Sequence, residues 1–166
     1  MLCLMKEDSL ALVQFKQDDM ADWAACWQDE VTQRGYNFIP PEDVDWLREQ
    51  HIERFPFWVT AVNLETGEKL GSLRLSPDDI PDLAIWIYPA YRNKGWGGRA
   101  YRLALRYLYE QGYKAVYAGC LQHNVYSRRI LEKCGFTRWA AGDEAETSVF
   151  NGREIIMEGF RCILRP

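Results

Sequence analysis

The chain has 166 residues and a formal net charge of −4, with 48% hydrophobic and 27% charged side chains. That length and composition suit one folded domain over residues 1–166 and exclude long disordered stretches. The acidic balance argues against nucleic-acid binding, which needs a basic surface, and no run approaches the roughly 18 apolar residues of a membrane span.

Met1–Lys6 is too short for a signal segment, so a cytoplasmic location is expected. The five cysteines are odd in number and scattered, with no C-x-x-C pair. They read as free thiols in a reducing compartment; neither a disulfide framework nor a metal site is expected. Leu10–Phe15 reads as the first strand. Asp18 and Asp19 precede a helix whose apolar stripe is Met20, Trp23, Ala24 and Trp27. Gly35–Phe38 reads as loop, and Pro40 and Pro41 open a second helix running toward Phe55. Phe57–Asn63 and Lys69–Leu75 are strands around a Thr66-Gly67 turn. After a loop at Ser76–Pro81, Leu83–Tyr88 is an apolar run that reads as a central strand ended by Pro89.

Gly95–Glu110 turns helical. Trp96, Ala100, Leu103, Ala104, Tyr107 and Leu108 share one face, and Arg99, Arg102 and Arg106 share a solvated one. Gly112 stops that helix. Ala115–Cys120 is a further buried strand, and Asn124 caps a helix that runs through Cys134 and closes at Gly135. Asn151-Gly152 is a hairpin signal between Thr147–Phe150 and Glu154–Ile163. The order predicts a mixed α/β fold: hairpins give antiparallel pairing, and the strand–helix–strand unit from Leu83 to Cys120 gives a parallel pair.

The segment Arg92-Asn93-Lys94-Gly95-Trp96-Gly97-Gly98 follows a strand and opens a helix. A helix start offers unpaired N–H groups and the positive end of the dipole. Glycines let that backbone approach a phosphate, and Arg92 and Lys94 add charge. Gly95, Gly97 and Ala100 also fit the dinucleotide pattern G-x-G-x-x-G/A. That pattern wants an acidic residue about 20 positions on, and Ala115–Cys120 has none. The phosphate loop G-x-x-x-x-G-K-[ST] is absent from the sequence.

Arg92, Gly95 and Gly97 resemble the acetyl-CoA signature R/Q-x-x-G-x-G/A of the GNAT superfamily. Asn124–Phe136 is similar to that superfamily's later motif, N-x-x-S-x-x-x-L-E-K-x-G-F, and follows the next strand as expected. Its Leu-Glu-Lys form looks most like the branch with ribosomal-protein N-terminal, spermidine and some aminoglycoside acetyltransferases. The resemblance runs from about Phe57 to the C-terminus, and the first two helices fit the variable substrate-side segment.

The resemblance implies a mixed, mostly antiparallel central sheet with a splayed parallel strand pair, flanked by helices. It implies that pantetheine lies against Leu83–Tyr88, with Ile87 near the strand's end, while Arg92, Asn93, Lys94, Gly95, Trp96, Gly97 and Gly98 hold the pyrophosphate. Asn124 contacts the pantetheine arm, caps its helix, or does both. The implied reaction is direct transfer of acetyl from acetyl-CoA to a primary amine: a small molecule, polyamine, aminoglycoside or protein N-terminus. Leu131 stands where many members carry a tyrosine acid, which leaves Ser127 and Tyr126 as candidates. Glu146, in the cluster Asp143, Glu144 and Glu146, is the expected base, with Asp82, His123 or a water chain as alternatives. Trp23, Trp27, Tyr36 and Trp46 pack the core or line the acceptor pocket. A homodimer is compatible with the family. A non-catalytic acyl-CoA-binding module and a cofactor-free interaction domain are the competing readings.

Overall fold

The computed structural model describes residues 1–43 and 45–166. One antiparallel sheet runs, in spatial order, β1 (Cys3–Glu7), β2 (Leu10–Gln14), β3 (Phe57–Asn63), β4 (Lys69–Leu75) and β5 (Leu83–Ile87). A second sheet places β9 (Glu154–Ile163) between β6 (Ala115–Leu121) and β7 (Thr137–Arg138), with β8 (Glu144–Thr147) paired to β9 as well. Helices α1 (Met20–Cys26), α2 (Glu30–Tyr36) and α3 (Asp45–Arg48) lie between β2 and β3 in the chain. Helix α4 (Trp96–Glu110) links β5 to β6, and α5 (Val125–Lys133) links β6 to β7.

Alternation along the strands divides the core in two. Leu10, Leu12, Val59, Ala61, Leu73, Leu75 and Leu83 face α4 and meet its Ala100, Leu103, Ala104 and Leu108. Trp58, Trp86 and Tyr88 face the other way and join Phe15, Met20, Trp23 and Trp27 in an aromatic cluster under α1. Each buried Leu or Phe side chain contributes about 1.5–3 kcal/mol, so both faces of the sheet hold their helices. Gly71 permits the close β4–β5 approach, since a Cβ there would collide with the Trp86 carbonyl oxygen.

Several boundaries differ from sequence patterning. Residues 3–7, which that patterning leaves unassigned, form β1 at the sheet edge, held partly by Arg106 Nη1 donating to Glu7 at 3.0 Å. A helix forms before Pro40, where sequence patterning reads a loop. Asp29 caps α2 by accepting from the Thr32 N–H at 3.0 Å, and Glu30 pairs with Arg34 at 2.7 Å, so Gly35 does not break the helix. Asn37, left-handed at φ 49°, ends it. The helix expected from Pro40 toward Phe55 crosses Val44, which lies outside the described residues. The rest holds only the four-residue α3 and a 3₁₀ turn at Ile52–Arg54. In the tail, the strand lies at Glu144–Thr147, and Ser148–Gly152 form the turn, closed by Ser148 N–H to Arg153 C=O at 2.8 Å.

The parallel pair expected between β5 and β6 is a single bridge among the described residues, Asp82 with Tyr117, where Tyr117 N–H donates to Pro81 C=O at 2.9 Å. Past it, the outer edge of β5 turns to side chains for hydrogen bonds. A cleft opens there.

Candidate active site

The cleft is a cavity of about 290 Å³ between β5, β6, α2 and the starts of α4 and α5. Ile87, Arg92, Gly97, Asn124, Tyr126 and Ser127, all expected site residues, line it together. Asn93, Lys94, Gly95, Trp96 and Gly98, the other expected site residues, do not line it; they flank Gly97 at the start of α4. Gly95, at φ 80°, forms the N-cap and supplies no side-chain cap. The first helical bond is Arg99 N–H to Gly95 C=O at 3.4 Å, so the amides of Trp96, Gly97 and Gly98 come before it. Such amides and the dipole end suit an anion. A Cβ on Gly97 would meet only Ile87 Cγ1 at 3.5 Å and Ile130 Cδ1 at 3.6 Å, which is ordinary contact. Glycine here therefore keeps the cleft floor low for a ligand.

Arg92 sits differently from its expected phosphate role. Its guanidinium turns inward, with Nη1 to Asp29 at 2.7 Å, Nη2 to Thr32 Oγ1 at 2.7 Å and Nε to the Ile87 carbonyl at 3.1 Å. Asp29 neutralises the charge, and the guanidinium in turn holds the Asp29 carboxyl below the usual range against partial burial. The arginine thus fastens the glycine turn to the start of α2.

Asn124 caps α5, its Oδ1 accepting from the Ser127 N–H at 3.1 Å. Its other side faces α2 beside Gly35. Tyr126 is exposed at the mouth, and Ser127 lies half-buried near Cys120, whose thiol burial pushes up while the Ser127 hydroxyl pulls it down. Leu131 is 1% exposed in the core, so the tyrosine position of other family members faces inward in this chain.

The candidate bases separate. Glu146, on β8 opposite Ile155, accepts from Asn37 Nδ2 at 3.1 Å and does not line the cleft. Asp143 makes a bidentate pair with Arg138 at 2.7 and 2.8 Å, which holds its carboxyl down at about 2. His123 is exposed and also outside the cleft lining. Asp82 lines the cleft at the β5–β6 bridge, and its carboxyl is pushed up to about 6. Surrounding protein strips it of water, Asp78 and Glu144 repel its charge, and Arg74 opposes them. The side chain nonetheless keeps exposed surface at the mouth, so water screens part of that repulsion.

Tyr101, which sequence patterning does not single out, and Tyr36, expected only as a core or acceptor-pocket aromatic, complete the site. Tyr36 and Tyr101 reach the outer edge of β5: Tyr101 donates to Leu83 C=O at 2.8 Å, and Tyr36 bonds both main-chain groups of Ile85. Tyr101 lies one helical turn after Gly97, a spacing that puts both on one face of α4 and was available as a signal. Tyr36 is among the aromatics expected in the core or the acceptor pocket, but no linear signal marks its bonds to β5. Trp23, Trp27 and Trp46 pack with Trp86 and Phe38 in the aromatic cluster; of the four aromatics named as pocket candidates, only Tyr36 lines the cleft. Among the described residues no group of three or more His, Cys, Asp or Glu could hold a metal ion, and no helix is long and apolar enough to cross a membrane.

A glycine-opened helix beside a cleft between two sheets, with a capped second helix across it, is the arrangement of an acyltransferase of the GNAT type. Residues 9–137 match the family described as acetyltransferase (GNAT) domain, and the chain belongs to that family. It is 26% identical over 153 residues to the uncharacterized protein MJ1062 of Methanocaldococcus jannaschii, covering 84% of this chain and 31% of that protein. The chain thus spans about a third of the length of this curated relative. The structure is similar to spermidine N-acetyltransferase from Vibrio cholerae in complex with CoA and spermine (TM-score 0.82, 17% identity, 95% of this chain and 97% of that one). It is also similar to a GNAT-family acetyltransferase from Bacillus anthracis (TM-score 0.77, 15% identity, 96% and 97% covered).

Proposed function

We propose that the cleft takes acetyl-CoA and that the protein transfers the acetyl group directly to a primary amine. The observation that carries this reading is the pairing of two ends in one cavity: helix-start amides at Gly97 and a raised carboxyl at Asp82. The fit of the cofactor rests on that uncapped glycine turn, where an added side chain at Gly97 would intrude on the ligand's space.

The amides of Trp96, Gly97 and Gly98 bind the pyrophosphate, with Lys94 beside them. Ile87, Asn124 and the β5 edge flank the pantetheine arm. The acyl donor supplies a thioester: the amine nitrogen forms a C–N bond to its carbonyl carbon, the C–S bond breaks, and CoA leaves as the thiolate. Asp82 takes a proton from the substrate ammonium, a task suited to a carboxyl titrating near 6. Ser127 and Tyr126, on the opposite wall, are the hydroxyls available to the thiolate. In this reading Asp82 replaces Glu146 as base, since Glu146 is held by Asn37 away from the cavity.

Asp82 lines the cleft, and Asp78 and Glu144 lie near enough to repel its charge, so this acidic neighbourhood would attract a cationic acceptor. The spermine complex of the similar Vibrio cholerae enzyme makes polyamines the first acceptors to try. The test is calorimetry with CoA followed by thiol release from acetyl-CoA over a panel of polyamines, aminoglycosides and peptide N-termini. Absence of CoA binding at millimolar ligand ends the proposal. Tight binding without transfer to any amine reassigns the protein as an acyl-CoA-binding module, the alternative suggested by Leu131.

A further inference from the structure

We propose that the Tyr36 hydroxyl is a displaceable stopper on the outer edge of β5, competing with acyl-CoA for the main-chain N–H and C=O of Ile85. The proposal rests on the acyl-CoA reading of the cleft.

In β5, Tyr88 N–H donates to Leu70 C=O at 2.9 Å and Ser76 N–H to Asp82 C=O at 2.9 Å. Antiparallel alternation then directs the even-numbered residues of β5 to β4, and Leu83, Ile85 and Ile87 outward, into the cleft. An unpaired strand edge recruits any extended chain with amides. The pantetheine arm is such a chain, with two amides and an extended reach.

Side chains already occupy this edge. Tyr101 holds Leu83 C=O at 2.8 Å, and Arg92 holds Ile87 C=O at 3.1 Å. Between them, Ile85 N–H donates to Tyr36 Oη at 3.1 Å while the Tyr36 hydroxyl donates back to Ile85 C=O. One phenol thus takes both groups of the central outward residue. An arm cannot pair with Ile85 while Tyr36 holds it.

The three side chains are not equivalent. Tyr101 is 4% exposed on the fifteen-residue α4, packed on Phe136, and is fixed. Tyr36 ends the seven-residue α2, stacked on Trp86 with ring centroids 5.2 Å apart and 20° between planes. Its neighbour Asn37 bonds Glu146, the Thr147 carbonyl and the Val149 N–H. Displacing Tyr36 therefore pulls on the β8–β9 hairpin, so arrival of the acyl donor reshapes the acceptor side. Burial pushes the ionisation of the seated phenol above the ordinary range, so it is neutral there.

Tyr36→Phe keeps the ring and removes the competing hydroxyl. Two lost hydrogen bonds predict CoA binding about tenfold tighter than wild type by calorimetry. The KM for acetyl-CoA falls in parallel while kcat stays within about threefold. A purely structural Tyr36 gives a lower Tm with unchanged or weaker binding, and that result overturns the proposal. An independent readout uses wild-type protein labelled with fluorotyrosine. The fluorine resonance assigned by its loss in Tyr36→Phe shifts toward the solvent-exposed value when CoA is added. A resonance that stays put while calorimetry shows binding overturns the stopper alone. Wild-type protein that shows no heat with CoA overturns the acyl-CoA reading and the stopper with it.

Discussion

Helices α4 and α5 both begin at the cleft, and they begin in opposite ways. Gly95 gives α4 a left-handed cap with no side chain, so the first-turn amides stay available. Asn124 gives α5 a side-chain cap at 3.1 Å, which spends the Ser127 amide inside the protein. The dipole is the same at both ends, but only one leaves its donors to an anion. At α5 the cleft receives hydroxyls instead, from Tyr126 and Ser127. The difference teaches that capping chemistry, more than helix direction, decides which helix start keeps free amides that suit an anion.

Substitutions test that division. The largest expected effect is Gly97→Leu, which fills the floor beside Ile87 and Ile130. CoA binding should weaken about a hundredfold or more, equivalent to about 3 kcal/mol, with Tm nearly unchanged, as read by calorimetry and a melting curve. Equal binding breaks the comparison, because α4 would then not be the phosphate end.

Next comes Asp82→Asn. Its kcat should fall about a hundredfold with CoA affinity kept. Wild-type rate should rise as pH passes through about 6, and the variant should lose that limb. Stability gives a second check. The folded carboxyl titrates above its ordinary 3.8, so its stabilising contribution is complete below that value and is lost as pH rises through about 6. Asp82→Asn should therefore melt higher than wild type near neutrality, and the two should converge in acid.

Asn124→Ala sharpens the contrast at α5. Loss of the cap costs about 1 kcal/mol, or roughly 2–4 °C in Tm, with a smaller loss of CoA affinity than Gly97→Leu. The smallest effect belongs to Glu146→Gln. Steady-state kinetics should show kcat within about threefold of wild type, since an amide oxygen still accepts from Asn37. A hundredfold loss would return the base to Glu146.

The elements of the proposed cofactor side were legible because their chemistry is local. Glycines at Gly95 and Gly97, the Asn124 cap and the strand before them each act within one turn of chain. Their boundaries in the structure match the pattern within a residue or two. The proposed acceptor side was not, because its signals are long-range or ambiguous. Gly35 suggested a loop, but Asp29 and Arg92, 63 residues apart, hold α2 together. Pro40 and Pro41 suggested a helix start that aromatic packing around Trp46 and Phe38 does not extend. Asp82 was visible only as an alternative base. Its standing comes first from burial in the cleft and then from the repulsion of Asp78 and Glu144; the burial and the approach of Glu144 appear only in three dimensions.

Among the described residues the bridge between Asp82 and Tyr117 is the one β-link between the two sheets, and otherwise they meet through the core around α4. From that bridge β5 extends about 17 Å to Ile87. Turning one sheet by about 5° would move the far end by about 1.5 Å over that length. A small turn about this bridge would change the width at the glycine turn far more than beside Asp82.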